Sequence, residues 1–318
     1  MEAIEEKTCA SRRLRCRDVF LFSHPRTASN LLCRLLSDQP GWAQSSYHFA
    51  DAFTFARKSF NWAPYEDITS EQRQEFENLL QKGLSKLEQA RASAAEESMW
   101  SEPSASTAML RQTLSSQRSN GARQCNPTFF PDDLLTSWLP VFIIRHPALV
   151  FESWYRAEIR VRPTDISDKS FAYFTTFRYS RELYDWFLSD EAASANQEDS
   201  FPTTRQSEPI VIDADDVIEN RSLEKLCELC NMDPSLIKFK WEVTSPPDDP
   251  NLCPVYKSYL SGLWMSTSVD PSKSSQGIDM AVKQRQWSEE FGSEVADALT
   301  QLVERALPDY NYLTSKKI

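Results

Sequence analysis

One stretch, residues 18–36 (DVFLFSHPRTASNLLCRLL), constrains the chain more than any other. Val19-Phe20-Leu21-Phe22 is a short apolar run with the length and side-chain types of a buried strand, and the chain breaks at Pro25. Beyond the proline, Leu31, Leu32, Leu35 and Leu36 recur at helical spacing, which puts Ser29 or Asn30 in the first turn of an amphipathic helix. Strand, tight loop and helix in that order aim unpaired backbone N–H groups and the positive end of a helix dipole at one point, an arrangement suited to phosphate or sulfate. Arg26, Thr27, Ser29 and Asn30 add one fixed positive charge and three neutral hydrogen-bonding side chains there. The stretch holds neither glycine nor lysine, so it is not the G-x-x-x-x-G-K-[ST] loop of an ordinary ATPase or kinase.

A second stretch repeats the pattern. Val141-Phe142-Ile143-Ile144 is continuously apolar, as a central parallel strand should be. Arg145-His146-Pro147 ends it, and a helix starts at about Ala148 with proline near its first position. In open α/β sheets this edge is where ligands bind. Ser153 lies two turns along that helix, so the Arg145 fork and the Ser153 hydroxyl can converge on one dianionic phosphate.

Together the two stretches resemble the sulfotransferase superfamily. Pro25-Arg26-Thr27-Ala28-Ser29-Asn30-Leu31 is similar to its 5′-phosphosulfate loop, and Arg145 with Ser153, eight residues apart, to its 3′-phosphate motif. Ala28 departs from the family's glycine, and Leu31 stands where cytosolic members carry a tryptophan that stacks on adenine. The family's C-terminal basic glycine-rich loop is absent; Lys273 with the turn Ser274-Ser275-Gln276-Gly277 is the candidate replacement, and a surface turn is the plainer reading. The resemblance spans residues 18–313 and points to a fungal group associated with secondary metabolism.

The resemblance implies a single α/β domain over residues 18–318 behind a lead-in at 1–17, three-layered and P-loop-like, with a mostly parallel sheet and helices on both faces. It implies transfer of the sulfuryl group of 3′-phosphoadenosine 5′-phosphosulfate (PAPS) to a hydroxyl of a small molecule, aromatic or polyketide-like, with no metal. Arg26, Thr27, Ala28, Ser29, Asn30, Arg145, Ser153 and Lys273 would hold the cofactor, and Arg26 would meet charge developing on the bridging and phosphate oxygens. The base that takes the acceptor proton is expected to be His48, in the aromatic-rich segment 47–55, with Glu102 second; His24, inside the phosphate loop, completes the candidates. The bland alternatives are a surface histidine on a packing segment and a solvated loop carboxylate. Two further readings stay open: an enzyme on this fold that has given up PAPS and performs acid–base cyclisation, dehydration or isomerisation, and a non-catalytic binding protein.

Composition narrows the classes. The formal net charge of −11 argues against nucleic acid or an anionic membrane as the main partner. The charged N-terminus is unlike a secretory signal and no apolar run approaches a membrane span, so a soluble cytoplasmic protein is expected. Seven cysteines form no framework; Cys227 and Cys230, though a C-x-x-C, share an apolar helical stripe with Leu223 and Leu226 and read as core. The spacing also predicts a long helix over 70–95, loops over 98–131 and 189–207, and a ring-rich helix over 171–187. A third buried strand follows at 209–213 with a helix running on through Cys230, and a last helix is expected to end at Pro308.

Overall fold

The computed structural model of the chain describes residues 16–40, 42–46, 48–61, 63–93, 98–102, 126–168, 171, 174–189, 208–245 and 254–318, with the backbone alone at 45, 46, 98–102 and 254–256. Among the described residues five strands pair in the order β2-β3-β1-β4-β5, every pairing parallel: β1 (Val19–Ser23), β2 (Trp42–Ser46), β3 (Ser98–Glu102), β4 (Leu139–Ile144) and β5 (Ile210–Asp213). The longest register joins the two sequence-marked strands, from Val19 opposite Leu139 to Ser23 opposite Ile143.

Alternation along these strands feeds two cores. Phe20, Phe22, Phe142, Ile144 and Val211 point into one; Val19, Leu21, Val141, Ile143, Ile210 and Ile212 into the other. On the first face lie α2 (Ala50–Ser59), α3 (Ser70–Ser93), α5 (Pro147–Ile159), α6 (Arg178–Phe187), α10 (Met280–Phe291) and α11 (Ser293–Thr314). The second face is covered by α1 (Ser29–Leu35), α7 (Ala214–Ile218) and α8 (Leu223–Leu229). The short α4 (Asp132–Thr136) leads into β4, and α9 (Pro254–Trp264) crosses near α1 and α5. This is the expected three-layer, P-loop-like architecture, with both faces covered as a parallel sheet requires.

The long helix forms where its pattern predicts, and its start is a capping box: Thr69 Oγ1 accepts from Gln72 N at 3.2 Å while Gln72 Oε1 accepts from Thr69 N at 3.0 Å. The rings of Phe171, Phe174, Phe177, Trp186 and Phe187 are core. Cys227 and Cys230 are buried, and burial pushes the Cys227 thiol up to about 12 and Cys230 up as well, which suits packing and not redox work.

Four expectations need correcting. Residues 98–102, expected in a loop, are strand β3; flanked by β2 and β1, their polar sequence gains strand form from pairing on both sides. The ring-rich stretch is not one helix: Phe171 and Phe174 are helical, the chain breaks at 175–177, and a helix runs from Arg178 with Phe177 as its cap residue. The helix after β5 is two helices, broken where Asn220 takes φ 54°, a left-handed conformation asparagine tolerates. Pro308 lies inside α11 and does not end it: the helix continues because Tyr310 and Leu313 are buried and Tyr310 donates its hydroxyl proton to Asp213 at 2.8 Å. Most of the two expected loops, 103–125 and 190–207, and the start of the lead-in lie outside the described residues. No helix among the described residues is long and apolar enough to cross a membrane.

Candidate functional site

The strand order places a switch point between β1 and β4. The chain leaves β1 toward β2 on one side and leaves β4 toward β5 on the other, so the loops after them diverge and open a crevice at the carboxyl ends of the strands. A cleft of about 630 Å³ lies there, lined by Arg26, Ala28, Ser29 and Asn30 from the first loop and by Arg145, Glu152, Ser153 and Arg156 from β4 and α5. Trp241, Tyr259, Lys273 and Lys283 come to it from the C-terminal third. Among the described residues its lining carries five basic side chains against two carboxylates, Glu152 and Asp270, in a chain of net charge −11. Such a local excess of positive charge favours a polyanion.

The first loop is tightly wound. Arg26 and Ala28 both sit in left-handed conformations, φ 75° and 68°, so the loop turns sharply around Thr27. That costs about 1–2 kcal/mol for each non-glycine residue. Ala28 caps α1, whose first-turn N–H groups have no partner within the helix and whose residues Ser29 and Asn30 line the cleft. Thr27 does not. It is fully buried, and its hydroxyl and N–H both donate to the His24 carbonyl, at 2.7 and 3.3 Å. Thr27 shapes the loop and offers its hydroxyl to nothing in the cleft, a correction to its expected ligand role.

His24 is corrected likewise. It is buried behind the loop, its Nδ1 lies 2.8 Å from the Pro25 carbonyl, and its ring packs on Phe177 and Phe151. Desolvation lowers its pKa to about 4 despite the backbone partners that raise it, so it is a neutral packing group away from the cleft.

Arg26 and Arg145 meet. The Arg145 Nη1 donates to the Arg26 carbonyl at 3.1 Å, and Nη2 to the Lys273 carbonyl at 2.8 Å, so one guanidinium ties the first loop to the C-terminal turn. Its Nε is buried without a partner among the described residues. Burial lowers the pKa of Arg145, with Asp215, Glu152 and Asp213 acting the other way, and the group remains a cation. Ser153 does not pair with Arg145: its hydroxyl accepts from Arg26 Nε at 3.0 Å, although both serine and Arg145 face the same cleft.

At the C-terminal wall, Ser275 donates from its N–H at 2.8 Å and from its hydroxyl to Asp215, while Ser274 donates to Glu219 at 2.8 Å. These bonds fasten the turn to α7 and hold Lys273 at the cleft edge, its side chain 65% exposed with Asp270 3.9 Å away. His48 follows β2 and Glu102 ends β3, so both belong to the ligand edge of the sheet. His48 is half-buried beside Lys86 and is not among the cleft-lining residues; burial and then the Lys86 charge lower its pKa. The side chain of Glu102 lies outside the described residues.

Sequence reasoning missed several lining residues. Arg156 was findable, since 149, 153 and 156 fall on one face of α5; it pairs with Glu290 through two bonds of 2.7 Å. Lys283, 3.0 Å from both oxygens of Glu152, and Trp241, whose Nε1 donates to Ser266 Oγ at 3.2 Å, carry no local signal because only the fold brings them near.

No family model matches the chain. A sulfotransferase ppzF of Metarhizium majus (strain ARSEF 297) is 30% identical over 94% of this chain and 96% of its own. A sulfotransferase ppzF of Metarhizium rileyi (strain RCEF 4871) is 30% identical over 94% of this chain and 95% of its own. Among solved structures, the sulfotransferase domain of the Synechococcus PCC 7002 olefin synthase covers 88% of this chain and 96% of its own at 14% identity and a TM-score of 0.40. With 30% identity to two fungal sulfotransferases across nearly the full length of both partners, the chain belongs to the sulfotransferase family.

Proposed function

We propose that the protein moves the sulfuryl group of PAPS to a hydroxyl of a small acceptor. The observation that carries this reading is the Arg145 guanidinium on the Arg26 carbonyl, which joins the two arginine-bearing loops around one basic cleft. The donor set suits the cofactor: the buried Arg145 Nε has no partner among the described residues and can be satisfied by an anion, and a cleft of about 630 Å³ is of ligand size.

Arg26, Ser29, Asn30, the Ala28 backbone and the first turn of α1 would hold the 5′ group, and Arg145, Ser153 and Lys273 the 3′-phosphate. When bound, PAPS supplies the sulfuryl group and, as leaving group, the adenosine bisphosphate. Arg26 stabilises negative charge where it develops, and because the protein already fixes its guanidinium, little reorganisation is needed. His48 is the first candidate to take the acceptor proton and Glu102 the second; a histidine with lowered pKa is neutral at pH 7 and so able to accept. Phe53, Leu149, Leu260 and Trp241 supply apolar wall for an aromatic or polyketide-like acceptor.

A thermal melt with adenosine 3′,5′-bisphosphate tests the reading. At a concentration about a hundred times Kd the ligand adds about 2.7 kcal/mol, an upward shift of several degrees. Arg145→Lys, which keeps the charge and loses the fork, should cut that affinity about tenfold or more. One observation favours the alternative of a PAPS-independent acid–base enzyme: Ala28 brings a Cβ to the cleft lining where the family carries glycine. No shift with the bisphosphate, together with activity lost on His48→Ala, selects that alternative.

A further inference from the structure

Arg26 is oriented by distant parts of the chain. Its Nη1 donates to the Tyr259 carbonyl at 2.6 Å, and its Cζ lies 5.3 Å from the centroid of the Tyr259 ring. Tyr259 sits on α9, and its hydroxyl is fixed at both lone pair and proton: it accepts from Trp154 Nε1 at 2.7 Å and donates to Glu158 Oε1 at 2.8 Å. Glu158 is 1% exposed and also takes Arg57 of α2 and, at 2.9 Å, Arg162. Burial, with Glu158 beside it, holds the Tyr259 pKa well above its ordinary value, so the hydroxyl is a fixed donor and no base. An unbroken set of contacts therefore runs from a buried carboxylate through one tyrosine to the cleft arginine.

We propose that Tyr259 is the positioning residue of Arg26, setting its guanidinium toward the 5′ group of the phosphosulfate; this rests on the sulfuryl-transfer reading above. A free arginine side chain has rotamer entropy to lose on binding. Pinning Nη1 and one face of the fork in advance removes part of that loss. Because the carbonyl cannot be substituted, the side chain is the handle: the hydroxyl anchors α9 to α5, and with it the position of the carbonyl and ring that Arg26 meets.

Calorimetric titration of the full chain with two nucleotides separates positioning from mere support. Tyr259→Phe removes the anchor and keeps the ring. It should weaken adenosine 3′,5′-bisphosphate about fivefold. Adenosine 3′-monophosphate, which has no 5′ group for Arg26, should bind as before. In an Arg26→Ala background, Tyr259→Phe should cost the bisphosphate nothing further. Equal weakening of both nucleotides, full additivity with Arg26→Ala, or no effect overturns the proposal while leaving the nucleotide site standing. If the unsubstituted chain binds neither nucleotide, the sulfuryl-transfer reading fails and the proposal fails with it. Should Tyr259→Phe not fold, Trp154→Phe, which removes the bond to the same hydroxyl from the other side, is put through the same cycle and decides by the same pattern.

Discussion

Replacing Glu158 by glutamine tests whether its buried charge holds the helices around the cleft. The carboxylate side chain is 2% exposed, and it compensates Arg57, itself 18% exposed, and Arg162 at 39%. Glutamine keeps the shape and loses the charge, so one amide N–H₂ must face either the two arginines or the Tyr259 hydroxyl. Arg162 can turn to water; Arg57 cannot do so fully. Breaking a buried pair from one side costs about 3–5 kcal/mol, and the half-open Arg162 puts this case near the lower end, about 3 kcal/mol. For a chain of this size, at about 2.1 cal/mol/K of unfolding entropy per residue, that is a fall in Tm of roughly 4–5 °C. Glu290→Gln is the control: that carboxylate also pairs with an α5 arginine but is 44% exposed, which predicts a loss of about 0–1 kcal/mol, screened by salt. Urea melts of both variants at low and high salt give the comparison. A difference of less than about 1 kcal/mol between them, or a Glu158→Gln deficit that salt removes, would refute the argument that burial sets the weight of this ion pair.

Three further outcomes follow from the site and its supports. His24 has its folded pKa depressed from 6.5 to about 4, so the unfolded chain binds the extra proton in that window; stability is complete above pH 6.5 and falls on acidification by about 3 kcal/mol by pH 4. His24→Asn should flatten that limb in pH-dependent melts, and an unchanged slope would place the titration elsewhere. Gly83→Ala ordinarily favours a helix interior by about 1 kcal/mol, but here the new Cβ would run into the Phe49 ring and lie 3.0 Å from the His48 carbonyl. A net loss of about 1–3 kcal/mol is expected, read by denaturant melt. Ala28→Gly relieves a left-handed alanine at the price of a looser unfolded chain, a gain of about 0.5–1 kcal/mol in the same assay; a loss would mean the methyl group packs usefully.

What the sequence revealed was what its own neighbours determine. β1 and β4 are continuous apolar runs buried on both faces, and each ends at an arginine followed within two residues by, or preceded by, a proline, so strand, edge and charge were legible together. β2 and β3, WAQSS and SMWSE, carry no such mark; their strand form comes from pairing with partners dozens of residues away. Arg26, Arg145 and Ser153 all line one cleft, yet the hydroxyl partner of Ser153 is the first arginine and not the second, because spacing along α5 says nothing about which side chain arrives from β1. His24 stood last among the candidate bases because it lies inside the phosphate loop; the ring of Phe177 that it packs against comes from much later in the chain and leaves no mark near residue 24.

The bond from Arg145 to the Arg26 carbonyl spans 119 positions, and that from Arg26 to the Tyr259 carbonyl spans 233. A pocket stitched across such separations exists only once nearly every layer has come together. On the proposed sulfuryl-transfer reading, nucleotide capture doubles as a readout of completed assembly: a chain arrested partway, or nicked between these anchors and drifting apart, should show helical signal in the far ultraviolet while leaving the bisphosphate in solution.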